Sequence, residues 1–207
     1  FLAVLRIYIT GTTDLLGLLW NLILAVLPYI FALGYISLKN KTRWILLVCW
    51  FFFLPNSFYI ITDFVHLPRF PEMVYYDIIY ISTMAFAGMI SWFASLELVH
   101  REWNIHYHKR LAWFLVIATI LISTTWVYIG RFLRFNSWDI LHDPLNLIRE
   151  IWLLIISNGQ LFNISNPSRL VENKIFTIGT IGLIEFVALY GAFFLLVYAF
   201  LYHSKKR

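Results

Sequence analysis

An all-α, polytopic transmembrane bundle of about five spans is the fold this sequence predicts, and three observations predict it. Of 207 residues, 61% are hydrophobic and only 13% are charged, against about 25% charged in a soluble domain. The apolar residues fall into five runs, each longer than the ~20 residues that cross a ~30 Å hydrocarbon core. The basic residues stand in short segments between those runs. They do not form the stripe that a nucleic-acid-binding face needs, so the lipid bilayer is the predicted partner and nucleic acid is excluded.

The chain opens on an apolar stretch, residues 1–9, that is too short to span and lacks the basic start and small-residue cleavage pattern of a signal peptide. It reads as the remnant of an earlier helix or as an interfacial segment. The first span covers residues 15–38. The second, 44–66, is interrupted by Pro55, which removes a backbone donor and should kink or break the helix. The third span is 74–99. Within it Ala87, Ser91 and Ser95 recur every four residues, a spacing that lets helices approach closely. The fourth is 111–132 and the fifth 175–202, where Gly179 and Gly182 suit the same packing. Between the last two, Asp143-Pro144 reads as a helix start. Leu147, Ile148, Ile151, Leu154 and Ile155 follow at helical spacing, so residues 144–157 form an amphipathic helix on the membrane surface. Residues 157–173 are polar and read as an exposed loop. They include the triplet Asn163-Ile164-Ser165, which matches a glycosylation sequon of a kind common by chance. No linker divides the chain, so one integral membrane domain covers residues 1–207. The single cysteine, Cys49, allows no intrachain disulfide and reads as a small side chain in an apolar run.

Loop charge orients the spans. Lys39, Lys41 and Arg43 join the first two. Arg101, Lys109 and Arg110 join the third and fourth, with His100, His106 and His108 among them, and the tail ends Lys205-Lys206-Arg207. A five-span count puts all three segments on one side, and basic loops face the cytoplasm. The C-terminus is then cytoplasmic.

The conspicuous polar residues sit toward the opposite side. After Pro55, the residues Asn56, Tyr59, Asp63 and His66 fall at i, i+3, i+7 and i+10, one face of an α-helix. At ~1.5 Å per residue Asp63 stands roughly 30 Å above Arg43, at the outer boundary. Asp77 begins the third span after a short loop and so shares that height. It is also placed as an acid facing the helix macrodipole. Asp63, His66 and Asp77 are candidate catalytic groups, as general base or as oxygen and nitrogen ligands of a divalent metal, although D-x-x-H alone does not define a metal site. The fourth span ends with Arg131 and Arg134 one turn apart, where the cytoplasmic bias of basic residues disfavours them. Two roles account for them: ion pairs with Asp63 or Asp77, or recognition of an anionic group. Asn136, Ser137 and Asp139 follow as caps or ligand contacts. Asn21, inside the first span, needs a hydrogen-bonding partner and reads as a tie between helices. Glu185, ten residues into the fifth span, should be protonated, paired or facing water.

Several of these stretches resemble a known family. They are Trp20-Asn21-Leu22 with Pro28, Leu54-Pro55-Asn56-Ser57-Phe58-Tyr59-Ile60-Ile61-Thr62-Asp63 with His66-Leu67, Tyr76-Asp77, and Gly130-Arg131-Phe132-Leu133-Arg134-Phe135-Asn136-Ser137-Trp138-Asp139. The chain resembles, over residues 14–145, the uncharacterised bacterial integral membrane family called domain of unknown function 1361. The resemblance implies a multi-pass protein of the bacterial cytoplasmic membrane and carries over no catalytic role. Ser57-Phe58 stand where smaller residues are expected, which narrows any pocket there.

Three functions fit. One is an outward-facing site, enzymatic or not, for an anionic or lipid-linked ligand, with Asn56, Tyr59, Arg131, Arg134, Asn136 and Asp139 as binding residues. Another is a transporter or permeation subunit, favoured by Pro55 and Glu185 but not by five spans without a repeat. The third is a non-catalytic membrane partner or scaffold in which the polar cluster ties helices together.

Overall fold

Hydrocarbon offers no water to the backbone, so every N–H and C=O within an apolar run must be satisfied inside the chain, which a helix does locally. The computed structural model describes residues 17–69, 74–133 and 182–204, together with Tyr8, Pro144, Leu145, Ile148, Arg149 and Trp152. Side chains are described at all of these except 65–69 and 132–133. In order, the elements are α1 (Gly17–Ser37), α2 (Thr42–Tyr59), a 3-10 helix (Ile60–Arg69), α3 (Val74–His106), α4 (Lys109–Tyr128), a π-helical turn (Ile129–Leu133) and α5 (Leu183–Ser204). Five of the helical segments are long and apolar enough to cross a membrane. The predicted spans are therefore present, with shifted ends.

Pro55 does not break α2, which runs through it to Tyr59. The helix narrows only afterwards, into the ten-residue 3-10 helix. α3 continues to His106, past the expected end at 99. His100 thus belongs to the helix and not to a basic loop. It is fully buried, its ring edge-to-face with Trp113 at 4.9 Å. α5 begins at Leu183, which moves Glu185 from the expected depth of the span to the first turn. There its Oε2 accepts the Gly182 N–H at 3.2 Å, the backward half of a capping box. Of the expected surface helix at 144–157, only Pro144, Leu145, Ile148, Arg149 and Trp152 are described, helical and exposed. The rest lies outside the described residues, as does the loop 157–173.

The chain divides into two compact units, Phe1–Thr119 and Ile120–Arg207. In the first, α1 and α2 run antiparallel. Phe31 meets Phe53 at 5.5 Å and Tyr35 meets Trp44 at 6.1 Å between ring centroids. α2 and α3 are also antiparallel, with Arg43 bound to Glu102 at one end and Phe58 against Trp92 at 5.4 Å further along. In the second unit, Gly191 of α5 packs against Leu121 and Thr124 of α4. Tyr128 meets Phe186 edge-on at 5.4 Å, and Phe186 stacks on Tyr190 at 4.2 Å.

Candidate functional site

The site is built where α1, the 3-10 helix and α3 converge, at the end of the first unit opposite the connections 38–41 and 107–108. A buried polar crossing positions these elements. Pro28 lies inside α1, where it deprives the Leu24 carbonyl of its helical donor, and the next carbonyl along the chain is that of Ala25. That oxygen accepts the Ser57 hydroxyl of α2 at 2.7 Å and the Ser91 hydroxyl of α3 at 2.8 Å. Serines commonly satisfy carbonyls disturbed by proline in membrane helices. Close approach of α2 and α3 is what Gly88 permits, since a Cβ there would collide with the Ser57 carbonyl oxygen. Ala85, Gly88, Ser91 and Ser95 are the buried small residues of α3, whereas Ala87, chosen from sequence spacing, is only half-buried.

Above this crossing lie two joined apolar clusters. Ala25, Ile60 and Ala85 form one, and Leu18, Tyr80 and Ile81 the other, with Phe64 and Met84 packed against both. Two carboxylates are set among them. Asp63, 3% exposed, follows Ile60 by one 3-10 turn. Its Oδ2 accepts the Asn21 amide of α1 at 3.3 Å. Asp77, 1% exposed, stands in the first turn of α3, one turn before Tyr80 and Ile81. The expected partner for Asn21 is therefore Asp63, a residue 42 positions away.

The 3-10 geometry changes which residues share a face. An α-helix turns about 100° per residue and a 3-10 helix about 120°, so i and i+3 eclipse in the latter. Asp63 falls on the row of Ile60, which is fully buried, and separates from Tyr59. Tyr59 aligns instead with Thr62, whose hydroxyl donates to the Tyr59 carbonyl at 2.6 Å. Asn56 and Tyr59 are half-buried, and the Asn56 amide donates to its own helix at Phe53 O, 3.2 Å. The single α-helical face expected for Asn56, Tyr59, Asp63 and His66 thus becomes two rows. The His66 backbone belongs to the 3-10 helix, while its side chain lies outside the described residues. Among the described residues no three His, Cys, Asp or Glu side chains form a metal-holding group.

Arg131 is half-buried in the π-helical turn that ends the fourth span, in the second unit. Single π turns inside helices are frequent at functional sites. Arg134, Asn136 and Asp139 lie outside the described residues. Sequence reasoning missed Ser57, Gly88 and the Ala25 carbonyl. The signal available for them was Pro28, whose missing N–H calls for hydroxyl donors from neighbouring helices.

The fold and this end of it define a multi-span helical membrane protein with acids buried among apolar helices. The family model for a protein of unknown function, DUF1361, matches residues 20–197, and the chain belongs to that family. The match runs well beyond residue 145, where the resemblance read from motifs ended. No curated protein and no solved structure matches the chain.

Proposed function

We propose that the protein binds the polar headgroup of an anionic or lipid-linked ligand at the Asn21–Asp63–Asp77 end of the first unit, on the extracytoplasmic face of a bacterial cytoplasmic membrane. The observation that carries this reading is Asp63, an acid 3% exposed near the end of one candidate span and tied to a second through Asn21. An acid at membrane depth costs free energy unless it is paired, solvated or used. Asp63, with a second acid on α3, puts two carboxylates from two elements at one end of the unit. Asp63 and Asp77 accept hydrogen bonds from ligand hydroxyls or take a proton. Asn56 and Tyr59, on the other row, are further candidate contacts. In the second unit, Arg131 and Arg134 carry planar forks suited to an anionic group, and Asn136 and Asp139 are further candidate contacts by sequence. If chemistry follows binding, Asp63 or His66 acts as general base, and a metal-assisted version uses Asp63, His66 and Asp77 together.

A second reading draws on the Asn21–Asp63 bond itself, as a tie in a non-catalytic membrane partner. The transporter reading has lost one support, because Glu185 caps a helix start instead of standing deep in a span. Native mass spectrometry of gently extracted protein separates the ligand site from the tie. With a site, the wild type retains a defined ligand mass that Asp63→Asn and Asp77→Asn each lose while melting within about 1 kcal/mol of wild type. Variants that retain the ligand contradict a site. Variants that unfold, with no ligand on the wild type, establish the tie.

A further inference from the structure

We infer that the opposite end of the first unit is a binding platform for the headgroup of an anionic phospholipid, formed by Lys39 and Lys41 between α1 and α2 and by Lys109 and Arg110 at the start of α4. The inference concerns a different surface from the Asp63 site and does not depend on it. All four cations are exposed. The acids near them are already engaged: Glu102 binds Arg43 at 2.6 Å and Glu97 binds Arg101 at 2.5 Å. Among the described residues no carboxylate lies within ion-pairing reach of the four. The two connections are neighbours in space, because the Arg43–Glu102 pair ties the first turn of α2 to the last turns of α3. Arg43 is itself held in place, its guanidinium 4.6 Å from the centre of the Tyr35 ring.

Charge at this end is uncompensated in a second way. Helix starts carry partial positive charge and favour acids. Neither α2 nor α4 has an acid in its first turn, and basic residues stand there instead, Lys41 at the N-cap of α2 and Lys109 and Arg110 in the first turn of α4. The resulting excess of positive potential is offset by an anion. The surroundings favour a lipid over a soluble anion. Trp44, 52% exposed, and Tyr107, 40% exposed, flank the cations, and such rings settle at headgroup level. Exposed Ile45 and Phe114 continue the surface along the helices, so a molecule with a charged head and acyl chains matches both parts. Basic clusters beside membrane helices bind acidic headgroups in this manner.

The test uses the full chain in detergent, offered phosphatidylglycerol, phosphatidylcholine or inorganic phosphate and read by native mass spectrometry. The expected result is retention of phosphatidylglycerol at least about tenfold over phosphatidylcholine, weakened by salt. The variant Lys39→Gln/Lys41→Gln/Lys109→Gln/Arg110→Gln should lose that preference. The two half-variants, Lys39→Gln/Lys41→Gln and Lys109→Gln/Arg110→Gln, should each lose part of it, which keeps the test decisive if the fourfold variant does not fold. Equal retention of the two lipids by the wild type, an unchanged preference in the fourfold variant and in both half-variants, or displacement of phosphatidylglycerol by inorganic phosphate would each overturn the inference.

Discussion

One backbone oxygen, that of Ala25, gathers hydroxyls from two other helices, and small side chains around it decide how closely those helices pass. Interhelical hydrogen bonds of this kind are worth about 1 kcal/mol in a membrane protein. Ser57→Ala and Ser91→Ala should each lower stability by about that much, measured by thermal unfolding in detergent. Gly88→Ala should cost more, about 3 kcal/mol or the fold itself, because the added carbon meets backbone and no flexible side chain can yield. A Gly88→Ala variant as stable as wild type would show that α2 and α3 do not cross at this point. Legibility at this scale was uneven. Asn21 and Asp63 could each be singled out as polar residues in apolar runs, but not as each other's partner, since a pairing across 42 positions is a property of the fold. Gly88 went unseen because spacing by four selects Ala87 as readily. Only the rotation of α3 against α2 distinguishes them.

At the scale of elements, the 3-10 helix following α2 has the greatest consequence. Runs of this geometry rarely exceed about three or four residues, because the hydrogen bonds are poorer than in an α-helix. Here ten residues adopt it, beginning five residues after Pro55. The Asn21–Asp63 bond and the burial of Ile60 fix its rotation. Amide hydrogen exchange in nanodiscs should therefore be fast over Ile60–Arg69 and slow over the preceding turns of α2. Protection extending evenly through both segments would contradict this difference. The proline itself was visible in the sequence, and a disturbance near it was expected. Its form was not, because the disturbance appears downstream of the ring, where packing against α3 and not local propensity sets the geometry. Similarly, Glu185 was read as deep because hydropathy continues unbroken before it, while the helix start at Leu183 rests on backbone geometry and the Gly182 N–H contact.

For the molecule as a whole, hydropathy alone was enough to expect the five membrane-length helices found among the described residues, since each run must satisfy its own backbone in hydrocarbon. The ends were less legible: α3 carries its helix through the polar residues 100–106 because His100 and Trp103 face the interior. Polarity at a helix end does not reveal such burial. The proposed function rests on the gathering of Asn21, Asp63 and Asp77, from three separate elements, at one buried end of the first unit. A high-resolution density map of the protein extracted with its native lipids tests this most directly. The account predicts non-protein density in contact with the Asp63 and Asp77 carboxylates. Carboxylates that point apart into lipid or bulk solvent, with no shared hollow and no density between them, would contradict it.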